Sequence, residues 1–173
     1  MLIAPIRSAL AGQYGATLLM LQRCLQRAND KSWLAIVGTR PFWHVAYHAL
    51  FTTDLYLSPD EKAFQPPPFH REDYNLLGTP PWAPHKKIVA DQPYDTPTLS
   101  AYVEACKAKA KRALGEEDET RFLGPSGFSC LKFTRLELHL YNIRHLQHHV
   151  GQLTACLRRQ SGEAVAWALS ETL

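Results

Sequence analysis

The sequence predicts an all-α fold, a four-helix bundle with one long Pro-rich crossover between its second and third helices. Three observations carry this. Four long segments repeat their apolar residues at helical spacing. The stretch from Ser58 to Pro97 holds nine of the chain's twelve prolines and so cannot be regular helix. No segment alternates apolar and polar residues as a half-buried strand does. The 173 residues suit a single domain, 1–173, since domains commonly run to about 100–200 residues. Four helices joined with one long connection make a bundle.

The first helix is expected over roughly 8–29, with Leu18, Leu21, Leu25 and Ala28 on one side, Ser8 as N-cap and "NDK" ending the run. The second, 41–57, has Thr39 near its start and Pro41 in its first turn, where proline is tolerated. The crossover that follows carries "QPPPF" and "GTPPWAP". It also carries Phe64, Phe69, Tyr74, Leu76, Leu77 and Trp82, too many apolar anchors for a loose linker. We read it as ordered and packed along the bundle, because long connections in compact domains are often functional. The third helix, 98–114, follows the turn-rich "DTPT" and stops at Gly115. The fourth and longest, 134–160, ends at "RRQSG", with arginines near its negative end. A last piece, "EAVAWAL" over 163–169, adds one or two turns.

Composition narrows the function. Hydrophobic residues at 46% and charged residues at 20% fit a globular core. The net charge of +3 is small and dispersed, apart from "KAKAKR" on the wet face of the third helix. Nucleic acid binding is therefore not expected. The N-terminal residues lack the basic and apolar regions of a signal peptide, and no apolar run reaches the ~18 residues of a membrane span. Cys24, Cys106, Cys130 and Cys156 are far apart with no CxxC, which argues against a zinc ribbon or a disulfide framework. A cytoplasmic chain with reduced thiols is the expectation.

The chemistry gathers in "RHLQHHVGQL", residues 144–153. On the fourth helix Leu136, Leu140, Ile143, Leu146, Val150, Leu153 and Leu157 form one apolar arc. Roughly opposite, Leu138, Asn142, His145, His149, Gln152 and Cys156 form a semi-polar stripe, so the helix is expected to be buried on both sides, within the bundle or against a partner. His145 and His149 stand at i and i+4, one turn apart, and can reach one ion. HExxH has the same spacing, but Leu146 replaces its glutamate, which argues against a metalloprotease. On the second helix His44, His48, Phe51 and Leu55 share a face, so either histidine can supply a third ligand from across the bundle. Three protein ligands leave a position for water or substrate. His148, offset from the stripe, reads as a residue that supports a ligand or walls the pocket. His70, His85 and His139 read as surface or hydrogen-bonded residues.

With "AYHALFTTDLYL" on the second helix and "YNIRHLQHHVGQL" on the fourth, the chain resembles the DinB-like (damage-inducible, YfiT-related) metalloprotein superfamily. The pattern is a histidine on the second helix and H-x3-H followed by x-G-Q on the last long one. The order of segments agrees over nearly the whole chain. The resemblance implies an up-down-down-up bundle, often a homodimer, with His48, His145 and His149 holding one divalent transition metal, zinc or nickel, in a cleft at one end. His44 remains the rival to His48. Gln152 continues the ligand stripe and is expected to hydrogen-bond near the ion, and Gly151 to admit a neighbouring helix closely.

Several branches of that superfamily resemble metal-dependent thiol S-transferases. The leading expectation is accordingly an open three-histidine site that activates a low-molecular-weight thiol. His44 or His148 would orient a ligand, and Phe69, Tyr74 and Trp82 would wall the pocket. A metal-binding or stress-response module without catalysis and a dimeric helical scaffold with packed histidines are the alternatives. Three imidazoles alone do not select the metal, since zinc, nickel, iron and copper all accept them.

Overall fold

Helices dominate the protein, as the periodicity predicts. The structure, a computed structural model, describes residues 3–162 and 164–173. Four long helices, α1 (Ile3–Arg27), α3 (Phe42–Leu57), α4 (Thr96–Glu116) and α6 (Arg135–Ser161), are joined with the short helices α2 (Asp30–Trp33) and α5 (Glu119–Leu123). The long helices close a ring: α1 packs on α4 and α6, and α3 packs on α6 and α4. A two-residue antiparallel pair, β1 (Ile36–Val37) with β2 (Arg40–Pro41), leads into α3. The sequence carries no alternating pattern there, because a two-residue ladder is too short to have one.

Local chemistry explains most boundaries. Asn29 and Ser32 form a reciprocal capping box that starts α2, so "NDK" opens a new turn after α1 ends at Arg27. The Asp95 side chain accepts from the Thr98 amide at the start of α4, with proline in the first turn. The Thr134 side chain does the same for Glu137 in α6, and Gly162, at φ 75°, closes that helix in the left-handed region. Ser8 is not an N-cap, for α1 already begins at Ile3, with Pro5 in its first turn. Gly115 lies inside α4, which runs on to Glu116.

The tail does not continue as helix. Residues 164–168 have no regular structure, and Glu163 lies outside the described residues. Their carbonyls are taken by α1 side chains: Arg27 donates to Ala164 and Arg23 to Ala166, while Gln13 donates to Leu169. Tertiary partners thus replace the bonds a helix would have made within itself.

Helix α3 is the centre of the core. Twelve of its sixteen residues are buried, including Trp43, Tyr47 and Leu50, which suits a helix apolar on all sides. The crossover between α3 and α4 has neither helix nor strand, yet Tyr74, Ile88 and Tyr94 are buried. Phe69 packs edge-on against Tyr94 and Tyr102. Trp82 departs from the expected anchors and is 81% exposed.

A buried polar network ties the N-terminal end of α6 to α1 and to the residue after α4. Arg135, fully buried, donates to the Glu117 carboxylate at 2.7 Å and to the carbonyls of Tyr56, Leu57 and Ser58, capping the C-terminal end of α3. His139 Nε2 donates to the other carboxylate oxygen at 2.8 Å, and the Tyr14 hydroxyl donates to His139 Nδ1. His139 is therefore a buried, hydrogen-bonded residue.

Candidate metal centre

Helical geometry brings the site together. Positions 145 and 149 of α6 stand one turn apart on the face toward α3, and position 48 of α3 meets them. The Nε2 atom of His145 lies 3.3 Å from that of His48 and 3.2 Å from that of His149. The three donor atoms all fall within 4.8 Å of one another. An ion with imidazole ligands at about 2.0–2.1 Å in tetrahedral arrangement spaces neighbouring nitrogens by about 3.3–3.4 Å. The two spacings to His145 match that of such an ion.

Hydrogen bonds on the far side of the rings fix which nitrogen faces inward. His48 Nδ1 lies 2.6 Å from the carbonyl of Asn75, which can only accept, so His48 donates there and its Nε2 keeps a lone pair. His149 Nδ1 lies 2.9 Å from Gln152 Oε1 and is oriented in the same way. Such outer partners are the usual means of holding a metal-binding imidazole in its tautomer. His145 Nδ1 is buried with no hydrogen-bond partner, and the ring of Tyr141 stacks beside that imidazole at 6.2 Å between centroids.

Electrostatics keeps the rings neutral. Burial, reinforced by His149, His48 and His148, pushes His145 down to about 3. Burial and then His48 push His149 down to about 4, against the opposing bond to Gln152. Burial likewise lowers His48, against its bond to Asn75. At neutral pH all three present lone pairs rather than charges, as metal ligation requires.

The remaining candidates fall elsewhere. His44 is fully buried and its Nε2 is engaged with the Tyr74 carbonyl at 2.8 Å, outside the cluster of three. Gln152 touches His149 directly. His148 is exposed, its ring 5.1 Å from that of His149, and it lines a cavity of about 550 Å³ with Leu140 and Ile143 on the α1 side. His70 takes the Tyr47 hydroxyl at 2.6 Å, and His85 is exposed. Gly151 does not admit a neighbouring helix: a Cβ there would meet nothing within 4 Å.

The expected pocket wall is not at the imidazoles. Phe69 packs on Tyr47, Tyr94 and Tyr102, and Tyr74 on Trp43, His44 and Tyr94. A cavity of about 780 Å³, lined by Phe128, Leu131 and Phe133, has none of the three imidazoles in its walls. Sequence reasoning missed Asn75 and Tyr141. Asn75 acts through its backbone, which no side-chain pattern reveals. Tyr141 lies one turn before His145 and was legible from that spacing.

The four cysteines are free thiols, with Cys24, Cys106 and Cys156 buried in helices and Cys130 exposed. No helix among the described residues is long and apolar enough to cross a membrane.

The DinB family model matches residues 44–169, a span that includes all three clustered histidines. No curated protein and no solved structure matches the chain.

Proposed function

The chain belongs to the DinB family, and from that premise we propose that His48, His145 and His149 hold one divalent transition ion in an open site serving thiol S-transfer. The observation that carries the reading is the meeting of three neutral Nε2 lone pairs from two helices at ligand-like spacing. The ring of long helices is then the family's four-helix bundle in up-down-down-up order, with residues 58–95 as its crossover. Zinc and nickel are the ions that the family resemblance implies, while the three imidazoles themselves accept either.

An ion held by three neutral imidazoles keeps its full charge and lowers the pKa of a thiol or water beside it. The chain's own residues set what is activated. The group of three contains no carboxylate, and Leu146 is buried where HExxH places its base. Water activation for hydrolysis commonly uses such a base. A thiol, with an ordinary pKa near ~8.5, needs far less help to become the thiolate that attacks an electrophile. Partial exposure of His48 and His145 gives that thiol a way in.

Metal analysis of the purified protein, followed by thiol consumption with chlorobimane across several cellular thiols, tests the proposal. Stoichiometric metal and a rate well above that of His149→Ala support it. Metal without any rate leaves a binding module, and absence of metal leaves a helical scaffold.

A further inference from the structure

Helix α3 carries a second feature on the same stripe as His48. His44 and His48 stand one turn apart on α3, Arg40 lies in β2 just before that helix, and each of the three donates a side-chain N–H to a carbonyl of one short piece of the crossover. Arg40 Nε donates to Leu77 at 2.8 Å, His44 Nε2 to Tyr74 at 2.8 Å and His48 Nδ1 to Asn75 at 2.6 Å. Arg40 also reaches the carbonyl of Ile88 at 3.2 Å. The strap 73–77 is thus fastened by two side chains of α3 and one from the strand that leads into it.

The strap's own conformation is unusual. Asp73 has φ 66°, the one non-glycine residue in the left-handed region among those described. Its carbonyl accepts from the Leu76 amide at 2.9 Å, closing a turn, and its carboxylate meets Lys86 at 2.7 Å. That turn presents the carbonyls of Tyr74 and Asn75 to α3.

His44 is an expensive residue for a merely structural task. It is fully buried, stacked at 5.1 Å on Trp43, and its Nδ1 has no partner. An apolar ring would fill that space without burying an unpaired nitrogen. What the imidazole adds is the N–H that fixes the Tyr74 carbonyl, and with it the next peptide, whose oxygen orients His48.

We infer that residues 73–77 form the outer shell of the histidine cluster and that His44, with Arg40, is a positioning residue for His48 in metal binding. This rests on the metal-binding reading proposed above. Outer partners of ligating histidines change metal affinity by about 10–100-fold when removed. The coupling is reciprocal, so an ion at the cluster steadies the strap in return.

The test uses the full chain and Co²⁺ alone, titrated against a competing chelator and followed by its visible absorption. His44→Phe keeps the ring and its stacking but removes the N–H. Affinity should fall about 10–100-fold, with a changed Co²⁺ spectrum, and His44→Gln, which restores a donor, should recover most of it. Arg40→Met, at a partly exposed position, should weaken Co²⁺ binding in the same direction and covers the case in which His44→Phe does not fold. Co²⁺ should also slow amide exchange in the strap of the wild-type chain. Unchanged affinity and spectrum in folded His44→Phe or Arg40→Met would overturn the inference while leaving the metal site in place. A wild-type chain that binds no Co²⁺ would overturn the metal site itself, and this inference with it.

Discussion

The Nε2 atoms of His48 and His145 lie 3.3 Å apart although 97 positions separate the residues in the chain. His145 Nε2 meets His149 Nε2 at 3.2 Å as well. One proton on His145 can serve only one of these neighbours, since His48 and His149 already donate through Nδ1. With the His145 proton on Nδ1 instead, all three Nε2 lone pairs face one another and a cation satisfies them together. His145→Ala should therefore cost the most metal, and His48→Ala should also lose stoichiometric binding. His148→Ala, at an exposed ring outside the cluster, should keep it. Elemental analysis of the three variants after gel filtration checks this, and full metal retention in His145→Ala would contradict the assigned geometry.

Gln152 supplies the acceptor for His149 Nδ1 at 2.9 Å from one turn further along α6. Gln152→Leu preserves helix propensity and removes that acceptor, leaving His149 free to turn or change tautomer. Metal affinity should drop by about 10–100-fold, with secondary structure unchanged by circular dichroism. Competition with a chelator measures it, and equal affinity would mean that packing alone holds the ring.

The pair His145 and His149 was legible in the sequence because a helix turns its i and i+4 side chains to one side. The α3 partner was legible only as a choice, since His44 and His48 share that spacing too. The structure separates them through the crossover: Tyr74 takes His44, while His48 faces α6. Neither carbonyl has a signature in sequence, because every residue carries one. Gly151 misled for a related reason. Glycine in a helix permits close approach, but only tertiary packing decides whether a neighbour uses the space, and here none does. Ser8 misled because it is a good cap wherever a helix starts, and Pro5 already marked an earlier start.

Acid should destabilise the metal-free protein through the same rings. In the unfolded chain these histidines titrate near their ordinary value of 6.5, while in the folded chain burial holds His145 near 3 and His149 near 4. Between about pH 6.5 and 3 the unfolded state binds protons that the folded state refuses, so stability falls as pH falls and is fully present above that window. Calorimetry of metal-stripped protein across the window should show a falling Tm, with a shallower slope for His145→Gln. A flat profile would mean that the rings titrate alike in the folded and unfolded chains.

The tail offers a packing test. A Cβ at Gly15 would clash with the backbone carbonyl of Glu171, and the Glu171 amide donates to the Gly12 carbonyl at 3.2 Å. Gly15→Ala should gain helix propensity in α1 but push the tail away. Limited proteolysis should then cut the C-terminal residues faster than in the wild type, with the core intact. Equal cleavage rates would show that the tail accommodates the methyl group by a small shift.

The Glu117–Arg135 pair sets the largest expected stability effect away from the histidines. Their side chains are 10% and 0% exposed, and the carboxylate also accepts from His139. Burial alone would raise the Glu117 pKa, yet the hydrogen bond from His139 and the bond and charge of Arg135 outweigh it and hold the group ionised. Removing one member strands the other's charge in the core, which costs about 3–5 kcal/mol in comparable buried pairs. Glu117→Gln should therefore destabilise strongly, moderated by the carbonyls of Tyr56, Leu57 and Ser58 that Arg135 keeps. Arg135 stands ten residues before His145 on α6, about 15 Å along the helix axis. Denaturant unfolding should show the loss while metal affinity, measured well below the unfolding midpoint, stays near that of the wild type. A parallel loss of metal in a chain that remains folded would instead reveal coupling between the two ends of α6.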